Sequence, residues 1–288
     1  MTRRGAADWA RPPQPGTAAV DVLIPTRNRP AELAVTLAGL AAQDAPDFTV
    51  VISDQSTRTP SWNHPAGEAM VRVLEAQGRP VRLLRHLPAR GLAEQRHFLL
   101  EQATAPLVLF LDDDVWLEPG TLALLAAALA ESEAGFVGAA VQGLSYLRDR
   151  RPAEQEPFQV WPGRKVQPER IRRGKPGFER WPLHNAANMA HVASGLALQP
   201  GEWQLYKIAW VGACVLYDRA ALLECGGFGF WDRLPPGHAG EDVAAQWRVM
   251  EKFGGAAVVP SGAVHLESPT TVTERTADAA QILLGGND

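Results

Sequence analysis

The chain has 288 residues, 46% of them hydrophobic and 21% charged, with a formal net charge of −4 and only two cysteines, Cys214 and Cys225. That length and apolar share support a sizeable core in one large or two small domains, while the acidic balance argues against a general nucleic-acid binder. The cysteines lie in no CxxC spacing, which excludes a disulfide scaffold and suits a reducing cytoplasm; no apolar run follows the N-terminal arginines or reaches the roughly 18–20 residues of a membrane span, so neither a leader nor a transmembrane segment is expected.

Residues 1–18 are rich in Pro, Gly and Ala without periodicity and are expected to form a disordered tail. Residues 20–24 (VDVLI) read as a buried strand, broken by PTRNRP at 25–30, and Leu33, Leu37 and Leu40 give helical spacing over 31–43. A second strand over 48–53 ends at Asp54, followed by a helix over 70–77 and a third strand over 81–84. A helix over 91–103 leads into the apolar run 107–111 (LVLFL), which stops abruptly at Asp112, Asp113 and Asp114. A helix over 121–132 and a strand over 136–141 complete this half. Strands alternating with helices imply a parallel, doubly wound sheet with its ligand site beyond the carboxyl ends of the strands, where Asp54 and the acidic triplet fall.

Because side chains alternate along a strand, Asp112 and Asp114 are expected to point to one side and Asp113 to the other, so that the spaced pair can converge on one cation. Two unit charges 4 Å apart repel by roughly 4 kcal/mol at an effective dielectric near 20. A divalent cation is therefore the natural partner of the spaced pair, and a solvated acidic turn is the alternative.

From 143 to 201 the alternation fails, and ten Lys and Arg residues between Arg148 and Arg180 make this variable region basic. It reads either as a solvated face or as a landing site for a phosphate-bearing acceptor or an anionic membrane surface. His184 and His191 within it are expected to pack or hydrogen-bond, because a metal would need a third group. Regularity returns with a strand over 210–217 (WVGACVLY), in which Cys214 reads as a small buried apolar residue, and a short helix over 218–228. Glu241 and Asp242 open a further helix, and a last strand over 256–259 is followed by His265. Residues 269–288 are expected to be a tail, either a weak apolar helix or disorder.

Carboxylates at strand ends and helix starts, with Arg27 and Arg96 in comparable places, suit transfer of a sugar from a nucleotide diphosphate. That reaction needs a cation to neutralise charge on the leaving diphosphate and, if stereochemistry inverts, a base on the opposite face of the sugar. Asp112 or Asp114 with His265 can hold Mn2+ or Mg2+, and Asp242 can serve as the base. Acidic residues in a first helical turn are also simple dipole partners, worth roughly 0.3–1 kcal/mol.

Taken in order, VDVLIPTRNRPAELAVTLAGLAAQ, VISDQS, RHLPARGLAEQRH, VLFLDDDV, WVGACVLYDRAALLECGGF and AGED resemble the family 2 glycosyltransferases of the GT-A fold over about residues 20–265. The resemblance implies an α/β fold with a Rossmann-like, mostly parallel central sheet flanked by helices. It implies one domain, 19–268, with a nucleotide-sugar donor half, 19–142, and an acceptor half, 143–268, that contains the variable region. The implied activity is metal-dependent and inverting, moving a sugar from a UDP-sugar by default to an acceptor hydroxyl. By match to the family's motifs, Pro25, Thr26 and Arg27 line the nucleotide pocket, Asp54 binds the base, and Arg96, Asp112 and Asp113 belong to the donor site. Asp114 and His265, with Asp112, belong to the metal site; Asp242 is the catalytic base and Glu241 its acceptor-side neighbour. Trp210, one of several tryptophans in the acceptor half, can stack on an acceptor sugar.

Two departures from the family pattern stand out: QRH at 95–97 replaces the common ARN, and Gly229 stands where an Asp usually follows GGF. Without membrane spans the chain differs from processive polysaccharide synthases. One sugar per turnover is expected, in the cytoplasm or peripherally at the inner face of the membrane, on a saccharide or lipid-linked acceptor. Two other readings compete. A sugar-phosphate nucleotidyltransferase would want a Gly-rich loop where PTRNRP stands, and a non-catalytic nucleotide-sugar or carbohydrate-binding module would not need both Asp114 and Asp242.

Overall fold

The computed structural model describes residues 4–11, 13–272 and 275–285. In chain order the strands are β1 Val20–Thr26, β2 Phe48–Asp54, β3 Val81–Arg85, β4 Leu107–Leu111, β5 Val115–Leu117, β6 Phe136–Ala139, β7 Gln142–Gly143, β8 Gln204–Tyr206, β9 Cys214–Asp218, β10 His238–Ala239, β11 Gly255–Val259, β12 Ala263–His265 and β13 Ala277–Asp278. The α-helices are α1 Ala6–Ala10, α2 Pro30–Ala41, α3 Pro65–Ala76, α4 Leu92–Glu101, α5 Thr121–Ser132, α6 Pro152–Gln155, α7 Asn188–Gly195, α8 Arg219–Glu224, α9 Glu241–Phe253 and α10 Ala279–Leu284.

Eight strands form the central sheet in the order β3-β2-β1-β4-β9-β6-β11-β8. β9 runs antiparallel to both neighbours and β8 antiparallel to β11, while the remaining pairs are parallel. The sheet is thus the expected mostly parallel one, with two reversed strands in its C-terminal half. Strand alternation sorts the core onto its two faces. Val22, Ile24, Leu109 and Leu111 pack with Leu33, Leu37, Leu74 and Leu125 from α2, α3 and α5. Leu23, Val108 and Phe110 pack on the other side with Leu99, Leu222, Trp247 and Ala280 from α4, α8, α9 and α10. The helical spacing of Leu33, Leu37 and Leu40 delivers all three to full burial, each worth roughly 1.5–3 kcal/mol.

Differences from the expected elements have local causes. α3 begins at Pro65 rather than 70 because His64 caps it, its Nδ1 accepting the Ala66 N–H at 3.3 Å, and Pro65 suits the first helical position. The strand expected over 210–217 starts only at Cys214, because the Val211 N–H and C=O are both taken by the Gln246 amide, at 2.9 and 2.6 Å. β12 was not expected; it joins β5 and β7 in a small second sheet that sets His265 opposite Val115, beside the acidic triplet.

The basic region is stitched down by ion pairs, Arg164–Glu131, Lys165–Glu133, Arg172–Glu251, Arg173–Asp278 and Arg180–Glu169 among them. Much of its charge is therefore neutralised locally. His184 and His191 serve separate partners, the Tyr206 hydroxyl at 2.8 Å and the Leu147 carbonyl at 3.0 Å. In the stretch expected to be a disordered N-terminal tail, α1 forms a short helix with exposed side chains. The C-terminal stretch is more than a tail: β13 pairs with β10, and α10 packs on α9 with Ala279 and Ala280 buried. Positions 1–3, 12, 273, 274 and 286–288 of these stretches lie outside the described residues. Among the described residues, no helix is long and apolar enough to cross a membrane.

Candidate active site

The acidic triplet follows β4 without extending it. The ladder between β4 and β9 ends at Leu111 and Cys214, the Asp112 N–H donates to the Ala213 carbonyl at 2.8 Å, and Asp113 and Asp114 lie in a turn. The strand alternation expected across the triplet therefore does not hold. Asp113 and Asp114 converge instead on Arg29, whose Nη1 donates to Asp113 Oδ1 at 3.0 Å and Asp114 Oδ2 at 2.6 Å. Thr26 Oγ1 donates to the other Asp113 oxygen at 2.6 Å, and the Pro269 carbonyl accepts from Arg29 Nη2. Asp113, expected among the donor-binding residues, thus holds the loop after β1. Burial pushes its carboxyl up to about 7 against the opposing pull of Thr26 and Arg29. Burial, then the nearby charge of Asp112, also raises Asp114.

Asp112 turns the other way, to Arg96. The Arg96 guanidinium donates to Asp112 Oδ1 at 2.9 Å and to Glu241 Oε1 at 3.2 Å, joining the triplet to the first turn of α9. Burial would lower the Arg96 pKa, but Asp112, Glu241 and Asp242 outweigh it and hold the side chain charged. Glu241 is buried and raised by that burial, with Arg96 opposing. Asp242 is half-buried, and desolvation followed by the adjacent Glu241 charge pushes it up to about 7. Its Oδ1 accepts the Val243 N–H at 2.8 Å. Gly212 lies beside it: a Cβ there would sit 2.9 Å from the Trp210 ring and 3.8 Å from Asp242 Oδ2, so the missing side chain lets ring and carboxylate share one wall.

Two cavities meet along this wall. The first, about 570 Å³, is lined by Pro25, Thr26, Arg27, Arg29, Gln55 and the whole triplet. The second, about 820 Å³, is lined by Trp181, His184, Trp210, Glu241 and Asp242. Asp112, His265 and Arg275 line both. Of the residues expected at the site, Pro25, Thr26, Arg27, Arg96, Asp112, Asp113, Asp114, Trp210, Glu241, Asp242 and His265 are thus brought together.

Asp54 is not among them. It is fully buried, and its two carboxylate oxygens accept the backbone N–H groups of Ser56 and Ser61, so it shapes the loop after β2 and does not line the first cavity. Its neighbour Gln55 lines the cavity in its place. Sequence reasoning also missed Arg29, although PTRNRP carries it in plain view. The two departures from the family pattern prove to be neighbours: a Cβ on Gly229 would lie 3.9 Å from the His97 ring, so the larger ring faces the smaller residue.

The donor set suits a hard divalent cation. Asp112 Oδ2 and Asp114 Oδ1 have no partner among the described residues, and Mg2+ or Mn2+ is commonly held by one or two carboxylates plus substrate phosphates and water. Among the described residues no group of three or more His, Cys, Asp and Glu side chains could hold a metal alone. His265 Nε2 stands 3.6 Å from Asp114 Oδ2, but its Nδ1 accepts the Glu267 N–H at 2.8 Å. The neutral ring then carries its proton on Nε2 and presents a donor to Asp114 rather than a metal-binding lone pair. The residues therefore fit a two-carboxylate site shared with a diphosphate, without His265 as ligand in this ring state.

A sequence model of glycosyl transferase family 2 matches residues 21–192, and no curated protein matches the chain. Among solved structures, the mannosyltransferase PcManGT from Pyrobaculum calidifontis, in complex with GDP-Man and Mn2+, aligns with a TM-score of 0.55 at 16% identity over 93% of this chain and 64% of that one. S. aureus TarS 1–349 aligns at 0.51 and 17% identity over 83% and 57%, and its UDP-GlcNAc complex at 0.52 and 16% over 88% and 60%. At these identities the likeness establishes the fold. The chain spans less than two thirds of the length of each of these structures.

Proposed function

Because the chain belongs to glycosyl transferase family 2, we propose that it transfers one sugar per turnover, with inversion, from a nucleotide-diphosphate sugar to an acceptor hydroxyl. The observation that carries this reading is the bridge through Arg96, which ties Asp112 on the first cavity, taken here as the donor side, to Glu241, the neighbour of Asp242, on the second, taken as the acceptor side. A sugar held between the cavities would meet a leaving group on one side and a base on the other.

The chain's own residues divide the work. Asp242 takes the proton of the acceptor hydroxyl as that oxygen bonds to the anomeric carbon and the bond from carbon to diphosphate oxygen breaks. A carboxylate near 7 is well poised for this, since general-base efficiency peaks when the pKa lies near the working pH. Arg96 fixes Glu241, and so the first turn of α9, against the triplet. Trp210 and Trp181 offer faces for an acceptor sugar. Asp112 and Asp114 would hold Mn2+ or Mg2+, which supplies charge neutralisation on the departing diphosphate.

UDP is our default carrier. The acceptor is a saccharide or a lipid-linked saccharide, and the setting is the cytoplasm, with peripheral contact at the inner face of the membrane. The donors named for the neighbours, GDP-Man and UDP-GlcNAc, support a nucleotide sugar as the substrate class. Thermal shift tests the reading: a nucleoside diphosphate at 100 times its dissociation constant should add about 2.7 kcal/mol of stability, and only with Mn2+ or Mg2+ present. Equal stabilisation in excess chelator would remove the metal from the proposal.

A further inference from the structure

One face of α2 carries three residues that break its apolar pattern without reaching solvent. Thr36 and Gln43 are 0% exposed, and Gly39 is buried between them at helical spacing. All three address the chain between β4 and α5. A Cβ on Gly39 would stand 2.7 Å from the Leu117 nitrogen, so its absence lets α2 pack backbone against β5. Gln43 ties the far end of that stretch, its Nε2 donating to the Glu118 carbonyl at 3.0 Å and its Oε1 accepting the Leu122 N–H at 3.1 Å. Thr36 ties the near end, its Oγ1 donating to the Asp113 carbonyl at 2.8 Å and accepting the Val115 N–H at 3.2 Å. A threonine inside a helix commonly returns its hydroxyl to a carbonyl one turn back in its own helix; this one is spent on the neighbouring turn.

The two groups that Thr36 bridges belong to the peptide units on either side of Asp114, and the torsions between those units set where the carboxylate points. We propose that Thr36 is a positioning residue for the cation: it fixes the direction of Asp114, so that Oδ2 meets Arg29 and Oδ1 is left to share Mn2+ or Mg2+ with Asp112. This rests on the two-carboxylate reading of the site. The main ladder cannot fix Asp114, because the chain has left β4 at Leu111 and β5 begins only at Val115. The unit after Asp114 has a second anchor, its carbonyl accepting the Leu266 N–H at 2.9 Å, and Thr36 supplies the link from it to the unit before. Thr36 lies behind the turn and lines neither cavity, so it acts through Asp114 and touches no ligand. Groups that orient a metal ligand in this way typically contribute about ten- to a hundredfold to metal affinity.

The test is calorimetric titration of the full chain with UDP and GDP, in Mn2+ and in excess chelator, together with the electron paramagnetic resonance spectrum of Mn2+ in the nucleotide complex. Thr36→Val keeps the shape and removes the hydroxyl. It should weaken Mn2+-dependent binding of the tighter nucleotide by at least about tenfold and change the Mn2+ spectrum, while Thr36→Ser, which keeps the hydroxyl, should stay within about threefold of the unaltered chain. Gln43→Leu removes the other clamp on the same stretch, and should lower the melting temperature while leaving Mn2+-dependent binding within about threefold. Unweakened binding in Thr36→Val, a loss in Thr36→Ser as large as in Thr36→Val, or an equal loss in Gln43→Leu overturns the proposal. If Thr36→Val does not fold, Thr36→Cys takes its place: a thiol is a weak donor and acceptor, so this variant should bind at least about threefold more weakly than Thr36→Ser, and equal affinity overturns the proposal. Failure of both nucleotides to bind the unaltered chain overturns the transferase reading with it, and binding that ignores the chelator overturns the cation site; metal-dependent binding that is insensitive to Thr36→Val overturns only the role of Thr36.

Discussion

Asp242→Asn should move activity and stability in opposite directions. The asparagine keeps the carbonyl-type oxygen that accepts the Val243 N–H, so the first turn of α9 is preserved, but it cannot take a proton. Turnover should fall by at least about a hundredfold, the low end of general-base contributions, with donor affinity unchanged. In the unaltered chain the carboxyl stands near 7 against an ordinary 3.8. A raised carboxyl contributes stability that is complete below about 3.8 and is lost as pH rises through about 7. The full interval corresponds to roughly 4 kcal/mol at pH 8. Because Asp242 meets the cavity and lies beside the Glu241 charge, we expect a gain of about 1–3 kcal/mol in the variant at pH 8, falling to less than half of that at pH 5 and vanishing below about 3.8. Urea titrations at the two pH values and single-turnover transfer measure both effects, and the unaltered enzyme should gain activity as pH rises through about 7. Near-normal turnover in the variant, or a stability difference that does not grow with pH, would refute the assignment of Asp242 as a base held near neutrality.

Asp114→Asn should weaken Mn2+-dependent binding of a nucleoside diphosphate by at least about tenfold, because Asp112 and Asp114 each keep one oxygen without a partner among the described residues to share the cation with the phosphates; unchanged metal dependence in calorimetry would count against it. Arg29→Met leaves Asp113 and Asp114 buried without their common partner, and breaking such a pair typically costs about 3–5 kcal/mol. The carboxyls can relieve this by taking up protons, so the loss should be larger at pH 8 than at pH 6, and equal melting-temperature drops at the two would show that the pair is not held as charges.

What the sequence made legible was whatever depends on short-range pattern. The leucines of α2, the run of β4 and the acidic opening of α9 each announce themselves within a dozen residues. The triplet was located but its internal geometry was not, because the chain leaves the strand at Leu111 and side-chain direction then follows the turn. Arg29 was passed over for a related reason: its partners lie 84 and 85 residues away. Asp54 shows the opposite case: its match to a base-binding position is legible in sequence, while the backbone N–H groups of Ser56 and Ser61 that hold its carboxylate are not. His97 and Gly229 looked like two independent departures, and only their proximity in space makes them one.

The place of β9 has a consequence for how the molecule can be taken apart. β9 lies between β4 and β6, although its residues come roughly seventy-five positions after β6 in the chain. A fragment ending at 142 would therefore leave the facing edges of β4 and β6 unpaired, with open backbone groups that invite aggregation. The division into donor and acceptor halves that we propose is thus not one of assembly. Folding must bring 214–218 back into the middle of the sheet before either half is whole, a long-range closure of the kind that slows folding. A split-protein or modular-swap design that cuts at 142 severs one sheet.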